Sequence, residues 1–381
     1  MATALTRRLY SVAETRWLAR RALPRPLFDF IDGAAEDERT LHRNEAAFAE
    51  IALLPQPLAG TTTRDQSLTL FGTRLAMPLI VGPTGLSGLF WPDGELATAR
   101  AAAAAGTAFC LSHGSTCTIE ELAAGGAAPR WMQVFMFKDR DMTRSFAERA
   151  QASGYDALVL TTDNQVLGNR ERDIRNGFAI PPRFTPANVL GMLAKGPWLW
   201  RMRGKLELGF ANYVSAAPGG DLRTIAGRMA GMLDPSASWA DVAWLRGLWA
   251  RPLLLKGVMH PEEARRAVAE GIDGIVVSNH GGRQLDGAAA TIEALPAIVA
   301  AVEGRIPVLL DGGVRRGVDV ARALALGAKA CLIGRPHLWG LAVAGEAGVA
   351  AVLDLYRREL DRVMALCGWD DLAAIDGTSL A

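Results

Sequence analysis

One of the chain's five histidines, His280, stands in the stretch SNHGGRQLDG (278–287). The run before it, from Gly274 to Val277, is short, apolar and rich in β-branched residues, which is typical of a buried strand. His280 would therefore lie just beyond the end of a strand, beside a glycine-rich and charged turn. Because reactive side chains are often placed on loops that a rigid scaffold holds, His280 is the first candidate for chemistry.

Two other stretches indicate a phosphorylated ligand. LDGGVRR (310–316) and IGRP (333–336) each continue an apolar run with glycine and arginine. Glycines such as Gly313 and Gly334 let the backbone approach a phosphate, and Arg315 and Arg335 can neutralise its charge. The two stretches therefore predict a phosphate site, for either a substrate or a cofactor.

Four more polar residues suit a flat heterocycle. Ser112, Gln133, Thr161 and Lys256 offer hydrogen-bond donors and acceptors, and each follows or interrupts an apolar run. Lys256 would place positive charge beside a ring that gains electrons. Together with the phosphate site, these residues predict flavin mononucleotide (FMN) as the cofactor.

The elements that must position these residues form a repeating pattern. Helical stretches such as GELATARAAAAAG and HPEEARRAVAEG separate most of the apolar runs, and each ends at a glycine. Eight strand–helix repeats predict a (β/α)8 TIM barrel; the alternative, a doubly wound sheet, lacks the dinucleotide glycine fingerprint. The predicted strands are PLIVGP (78–83), AFCLS (108–112), RWMQVF (130–135), ALVLTTD (157–163), PLLLKG (252–257), GIVVSN (274–279), PVLLDGG (307–313) and ACLIGR (330–335).

A barrel brings the carboxyl ends of its strands to one mouth, where such proteins carry their chemistry. Each of these residues alone could be a turn residue or a helix cap, but polar residues at all eight strand ends indicate a site. Besides those already named, the predicted mouth includes Pro83, Thr84, Gly85, Asp163, Ser278 and Asp311.

The chain is predicted to divide into three parts. An N-terminal helical extension (1–75) packs on the barrel (76–370), and a short tail follows (371–381). The fourth predicted strand ends at Asp163 and the fifth begins at Pro252, a much longer separation in sequence than between other neighbouring strands. About residues 164–238 are therefore predicted to be a loop-rich insertion after the fourth strand. The stretch SWADVAWLRGLW (238–249) then supplies the regular helix.

Composition narrows the class of partner. The 381 residues include 41 basic and 40 acidic ones, giving a net charge of +1, which leaves no electrostatic footprint for nucleic acid. The four cysteines lack CxxC spacing, so we expect neither a metal site nor disulfides, and a reducing cytoplasmic setting. No apolar run approaches the length of a membrane span. A small molecule is the expected partner.

Several motifs together resemble one known family. Similar motifs occur, in the same order along the chain, in the FMN-dependent α-hydroxy acid oxidases and dehydrogenases; in this chain they are GAAEDERTLHRNEAAF, LLLKGV, SNHGGRQLDG, LDGGVRRGVDVARALALGA and IGRP. The resemblance spans roughly residues 10 to 370. Within the family, GPTGLSGLFWPDGELATARAA and LVLTTDNQVLGNRERDIRNGF most resemble the mandelate dehydrogenase branch.

The resemblance implies roles for four residues. His280 matches the catalytic base, which takes a proton from the substrate while electrons pass to flavin N5, and Asp163 matches the carboxylate that stabilises the resulting imidazolium. Arg170 and Arg283 match the guanidinium groups that hold the substrate carboxylate. Whether a carbanion or a hydride forms is left open.

Two departures from the family pattern concern the substrate pocket. Phe30 and Phe135 stand where the family normally has tyrosines, whose hydroxyls contact the substrate's carboxylate and reacting oxygen. Their loss predicts a more apolar pocket for a bulky or aryl group, or for an esterified acid. His113 could replace a lost donor, or simply bond to loop backbone. Gly85 stands where oxygen-avoiding members often carry glycine, so we expect a dehydrogenase.

The insertion contains KGPWLWRMRGK (195–205), which mixes tryptophans with basic residues. Such a mixture suits the surface of an anionic membrane, and the resemblance implies a membrane anchor here; a lid over the active site is the alternative. The resemblance also implies a homotetramer.

These observations predict FMN-dependent oxidation of a 2-hydroxy acid with an aryl side chain to the 2-oxo acid, with quinone or oxygen as the electron acceptor. Three alternatives stay open: an oxidase that uses oxygen, an enzyme for a modified substrate without a free carboxylate, and a catalytically degenerate flavin-binding barrel.

Overall fold

Eight parallel strands close into a barrel, which confirms the predicted TIM barrel and excludes the doubly wound sheet. The structure is a computed structural model that describes residues 9–126, 129–177, 191–205, 209–216 and 231–381. Every barrel strand coincides with a predicted apolar run. The barrel strands are β3 (Leu79–Val81), β4 (Phe109–Leu111), β5 (Arg130–Val134), β6 (Ala157–Thr161), β7 (Leu253–Val258), β8 (Gly274–Val277), β9 (Val308–Leu310) and β10 (Ala330–Ile333).

Helices cover the outside of the barrel and bury an apolar face against it. Thr118 begins one of them with a capping box, in which its hydroxyl accepts from the backbone N–H of Glu121. The helices are α1 (Val12–Ala22), α2 (Arg25–Asp32), α3 (Arg39–Ala49), α4 (Gly94–Ala104), α5 (Ile119–Ala124), α6 (Arg140–Ala152), α7 (Glu171–Arg175), α8 (Gly196–Met202), α9 (Trp239–Leu248), α10 (Pro261–Ala269), α11 (Thr291–Val302), α12 (Gly317–Ala325), α13 (Arg335–Ala344) and α14 (Glu346–Cys367).

Alternation along the strands explains why the mouth is polar. Side chains of a strand point in turn to its two faces, and the inward set forms an apolar layer that includes Cys110, Trp131, Val159, Leu254 and Val276. Two residues further along each strand, the inward direction recurs at the mouth. The residues at those positions are Ser112, Gln133, Thr161, Lys256 and Ser278, so one polar layer floors the mouth.

A hairpin that the sequence analysis did not predict closes the opposite end. Strands β1 (Leu68–Leu70) and β2 (Thr73–Leu75) pair antiparallel around the turn Phe71–Gly72, where both residues have positive φ. Leu70 and Leu75 join the inner apolar cluster, and Phe71 meets Trp131 edge to face at 5.8 Å. The hairpin is therefore a plug for the base of the barrel.

The predicted insertion falls between β6 and α9. It contributes α7, α8 and a short 3₁₀ segment at Ala211–Ala216. PPRFTP (181–186) and most of AAPGGD (216–221) lie outside the described residues. The division of the chain at residues 75 and 370 stays a prediction. Within the described part of the chain, no helix is both long and apolar enough to cross a membrane.

Candidate active site

A cavity of about 700 Å³ opens at the carboxyl ends of the strands, a size typical of cofactor and substrate sites. It brings together almost every residue that the sequence analysis placed there. Two are set back from it: Asp163 lies behind His280, and Ser278 bonds to both Lys256 and the backbone N–H of His280. The predicted residues that line the cavity are Phe30, Pro83, Thr84, Gly85, Ser112, Gln133, Phe135, Thr161, Arg170, Lys256, His280, Arg283, Asp311, Gly313, Arg315, Gly334 and Arg335.

A strained turn after β8 presents His280 to the cavity. The backbone of His280 lies in the left-handed region at φ 58°, which is uncommon for a residue other than glycine and often occurs at functional sites. Asn279 supports the turn, because its side chain exchanges hydrogen bonds with Asn44 of α3. A Cβ at Gly282 would come within 2.6 Å of the Leu41 nitrogen, so only glycine lets the turn pack against α3.

His280 and Asp163 form a partly buried hydrogen-bonded pair. The imidazole Nδ1 lies 3.0 Å from Oδ1 of Asp163, so the ring's other nitrogen, Nε2, is left for the cavity. Burial lowers the pKa of His280 and outweighs the opposing influence of Asp163, so the ring is neutral at neutral pH. Burial opposes ionisation of Asp163, but His280 and Lys256 together lower the pKa of its carboxyl group. A neutral base beside a fixed carboxylate is the arrangement that proton abstraction requires.

The backbone near the end of β7 is adapted to the pair formed by His280 and Asp163. A bulge interrupts the pairing of β7 with β8 between Lys256 and Val258, and Gly257 has φ 108°. A Cβ at Gly257 would come within 2.8 Å of the Asp163 side chain. The glycine therefore makes room for the carboxylate.

Lys256 is a buried cation held by its neighbours. Its ammonium lies 2.9 Å from Asp311 Oδ2 and donates to Ser278 Oγ at 2.7 Å. Burial alone would lower the pKa of Lys256, but Asp311 and Asp163 reverse the effect and raise it. The charge is therefore permanent, fixed on the floor of the cavity.

Arg170 and Arg283 converge on the same side of the cavity. Arg283 Nη1 donates to the carbonyls of Phe30 and Gly33 at 2.8 Å each, and Arg170 Nη2 donates to Gln284 Oε1 at 3.4 Å. Burial and then repulsion from Arg283 lower the pKa of Arg170 to about 9. Two desolvated guanidinium groups that repel one another favour an anionic ligand between them.

Phe30 and Phe135 give this part of the cavity apolar walls. The Arg283 guanidinium lies 5.3 Å from the centre of the Phe30 ring, a cation–π distance. The Phe135 ring packs on His113 with 4.2 Å between ring centres. Gly85 lies close to the backbone of the loop after β4, since a Cβ at Gly85 would meet the Gly114 carbonyl oxygen at 3.0 Å.

A second pair of arginines, Arg315 and Arg335, makes the neighbouring part of the cavity strongly positive. Burial and then repulsion from Arg283 and Arg315 lower the pKa of Arg335 to about 9. Arg335 donates to the backbone carbonyls of Asp32 and Gly33, and Arg315 pairs with Glu45 at 2.8 Å. Gly334 leaves space, because a Cβ there would touch only Thr84. A clustered excess of positive charge beside an open glycine fits a phosphate group.

The cavity as a whole fits FMN. Among the described residues, Gln133 Nε2 and Asp311 Oδ1 are buried without a hydrogen-bond partner, and both residues line the cavity. A buried polar atom of this kind is costly unless a ligand pairs with it. A cofactor that forms hydrogen bonds with Lys256, Gln133 and Asp311 would satisfy these groups. Its phosphate would lie toward Arg315 and Arg335.

The structure adds three residues that the sequence analysis did not assign. Asp173 lines the cavity beside the two substrate-side arginines, and burial raises the pKa of its carboxyl group. His337 bonds to Thr84 Oγ1 at 3.1 Å. Tyr213 bonds to His113 at 2.5 Å. Asp173 lies within the motif LVLTTDNQVLGNRERDIRNGF and His337 directly follows IGRP, so both could have been found there; no signal marked Tyr213.

Fold and site together define a flavin-dependent (β/α)8 oxidoreductase. A family model described as FMN-dependent dehydrogenase matches residues 19–381. The L-lactate dehydrogenase of Caulobacter vibrioides is 45% identical over 375 residues, covering 97% of both chains. Human 2-hydroxyacid oxidase 1 is 42% identical over 372 residues, covering 97% of this chain and 96% of its own. The crystal structure of a monotopic membrane protein, (S)-mandelate dehydrogenase, superposes with a TM-score of 0.95 at 40% identity, covering 98% of this chain and 99% of the other.

The chain belongs to the FMN-dependent dehydrogenase family, and FMN is its cofactor. The predicted family resemblance, enzyme class and cofactor are thereby confirmed. The relatives include both dehydrogenases and oxidases, and they are named for acids as different as lactate and mandelate. The substrate and the electron acceptor of this chain therefore stay open.

Arg335→Met tests the phosphate side of the site. Because this change removes a positive charge beside the proposed phosphate position, it should weaken FMN binding by about tenfold to a hundredfold. Flavin fluorescence measures the affinity of the apoprotein. Riboflavin, which lacks the phosphate, should bind the variant and the wild type alike. Arg316→Met, which removes an exposed pair with Glu359, is the control. Equal losses of FMN and riboflavin affinity would mean that Arg335 acts only through its backbone contacts.

Proposed function

We propose that the protein oxidises a 2-hydroxy acid with an aryl side chain to the corresponding 2-oxo acid, as a dehydrogenase. The observation that carries the proposal is one cavity lined by a neutral histidine that a carboxylate supports from behind, two partly buried arginines and two phenylalanines. When bound, FMN supplies the acceptor for the two electrons that leave the substrate. The remaining steps belong to the chain's own residues.

His280 acts as the base in this proposal. Its Nε2 accepts a proton from the substrate, and the positive charge that develops on the ring is stabilised by Asp163 across the 3.0 Å hydrogen bond to Nδ1. The strained turn and the bond from its backbone N–H to Ser278 hold the ring in place. Because the ring is neutral at rest, it can accept the substrate's proton directly, and it must release that proton before the next turnover.

Arg170 and Arg283 hold the substrate's carboxylate. Guanidinium groups suit this role because their planar donors match a carboxylate, and both side chains are partly buried and line the cavity. The carboxylate in turn relieves their mutual repulsion. A substrate without a free carboxylate would leave two cations unpaired, which favours a free acid over an ester.

Phe30 and Phe135 set the side-chain preference. Neither ring presents a hydroxyl, and each is packed so that it offers an apolar surface to the cavity. An aryl group gains from contact with such walls, whereas a methyl group or hydrogen leaves much of the surface uncovered. We therefore favour mandelate-like acids over lactate and glycolate.

Gly85 supports a dehydrogenase, because it stands where oxygen-avoiding relatives often carry glycine. In this proposal a quinone, rather than oxygen, takes the electrons. We also propose that the enzyme is cytoplasmic or peripheral at the inner face of the cell membrane, and a homotetramer by resemblance, which light scattering on the purified protein would check.

Anaerobic bleaching of the flavin near 450 nm tests the proposed reaction. The panel contains both enantiomers of mandelate, 4-hydroxymandelate, phenyllactate, lactate, glycolate and mandelate esters and amides. We expect fast bleaching by an aryl hydroxy acid, slow recovery in air, and loss of bleaching in His280→Gln with FMN still bound. The rate should be flat above about pH 6.5 and fall at lower pH, because protonation through the lowered pKa of His280 removes the base.

Other outcomes point to the alternatives. Fast recovery in air would indicate an oxidase, and bleaching only by esters or amides would indicate a substrate without a free carboxylate. A flavin that no member of the panel bleaches would favour a catalytically degenerate barrel.

A membrane contact through residues 195–205 has partial structural support. Trp198 is buried and donates to the Leu89 carbonyl, so one face of α8 packs on the body of the protein. Trp200 is 81% exposed, and Leu193 just before the helix is 62% exposed. Exposed apolar side chains next to lysines and arginines fit the headgroup region of an anionic membrane.

Trp200→Ser tests this contact. Because the change removes the most exposed indole of α8 without touching the buried face, it should reduce cosedimentation with phosphatidylglycerol vesicles severalfold. Leu366→Ser, on the exposed face of α14, is the matched control and should bind like the wild type. Equal vesicle binding by all three proteins would contradict a membrane role for α8.

A further inference from the structure

The active-site cavity contains a second histidine that the reaction described above does not use. His113 follows β4, is 4% exposed, and lines the cavity with His280. Its Nδ1 lies 2.5 Å from the Tyr213 hydroxyl. Histidine and phenol therefore form a buried polar pair at the edge of the substrate pocket.

The position of this pair matches the place of a missing group. The His113 ring packs against Phe135 with 4.2 Å between ring centres, and Phe135 stands where the family normally has a tyrosine. A tyrosine hydroxyl there would be a neutral donor for the substrate. In this chain the neighbouring imidazole is the polar group on the same wall of the cavity.

Tyr213 is held rigidly enough to orient the imidazole. Its ring packs against Phe146, Phe137 and Phe210, with centres 5.4 to 6.1 Å away. The preceding residue, Asn212, donates to Ser115 Oγ and accepts from the backbone N–H of Ile119. The segment is thus tied to the loop that carries His113.

The phenol also fixes the tautomer of His113. Within the described chain, Nδ1 of His113 is the hydrogen-bond partner found for the Tyr213 hydroxyl, and a buried O–H needs an acceptor. If the phenol donates to Nδ1, the ring proton sits on Nε2. Among the described residues, no hydrogen-bond partner is found for Nε2, and His113 lines the cavity. Its N–H is therefore available to a ligand.

We propose that His113 is a substrate-binding residue whose Nε2–H donates a hydrogen bond to an oxygen of the anionic substrate, and that Tyr213 positions it by holding the tautomer. The pair replaces the hydroxyl absent at Phe135. This inference rests on the proposed oxidation of a 2-hydroxy acid and adds a specificity determinant to it.

The charge state of the ring agrees with a neutral donor. Burial, and then the proximity of His280, lower the pKa of His113 to about 3. The ring therefore stays uncharged through the neutral range and does not compete with His280 for the proton of the substrate. One histidine is a base because Asp163 accepts a hydrogen bond from its Nδ1–H, and the other is a donor because its Nδ1 accepts a hydrogen bond from the Tyr213 hydroxyl.

Oxalate binding to the FMN-loaded enzyme tests the proposal without turnover. Oxalate is a planar dianion with an oxygen where the hydroxyl oxygen of a 2-hydroxy acid would lie, and its binding can be followed by the flavin spectrum. His113→Ala should raise the dissociation constant by about tenfold to a hundredfold, the cost of losing a hydrogen bond to a charged ligand. Tyr213→Phe should give a smaller loss, because the imidazole remains but its tautomer is no longer fixed.

A rescue experiment separates this role from a structural one. Adding Phe135→Tyr to His113→Ala restores a donor on the same wall and should recover most of the lost affinity for oxalate. Tyr155→Phe is the matched control, because Tyr155 is equally buried but its hydroxyl bonds to the Ile119 carbonyl, away from the cavity. The control should bind oxalate like the wild type.

Failure of this inference is distinct from failure of the proposed reaction. If hydroxy acids bleach the wild type and His113→Ala binds oxalate and is bleached equally well, the role of His113 is refuted while the reaction stands. If rescue by Phe135→Tyr fails although the variant retains its FMN, His113 acts in packing only. If the wild type neither bleaches nor binds oxalate, both proposals fall.

Discussion

The carboxylate of Asp163 is the constraint on which the rest of the site depends. A buried negative charge is expensive unless it is paired and hydrogen-bonded. Here His280 supplies the hydrogen bond and the Lys256 ammonium lowers the pKa of the carboxyl group from the neighbouring strand. Much of the local backbone follows from this requirement, since Gly257 must leave room for the carboxylate and the turn at His280 must adopt positive φ to reach it.

The barrel converts this local chemistry into a complete site. Parallel strands end at one mouth, so five different strands and their loops supply charges that no single element could hold together. Lys256 pairs with Asp311, Arg283 and Arg335 bind the backbone at Gly33, and Asn279 bonds to Asn44. These contacts tie the N-terminal helices to the mouth, and the clustered arginines give the cavity an excess of positive charge above a polar floor. Such a field favours a phosphorylated cofactor and an anionic substrate at once.

Sequence patterns predicted the barrel and most of the site because both rest on short-range regularities. Apolar β-branched runs mark the strands, and the polar residue two positions beyond the last inward apolar one marks the mouth. The hairpin Leu68–Leu75 was missed although its turn, Phe71–Gly72, follows a short alternating pattern; strands of three residues are too short to stand out. The His113–Tyr213 contact could not be predicted, because it joins the β4 loop to the insertion and depends on tertiary packing alone.

The protonation state of His280 tests the central claim most directly. Nitrogen NMR of the FMN-loaded enzyme with ¹⁵N-labelled histidine, assigned by comparison with His280→Gln, reports which ring nitrogen carries a proton. We expect a neutral ring at pH 7. Its proton should lie on Nδ1, which donates a hydrogen bond to Asp163, and Nε2 should carry a free lone pair. An imidazolium at pH 7, or a proton on Nε2, would contradict it.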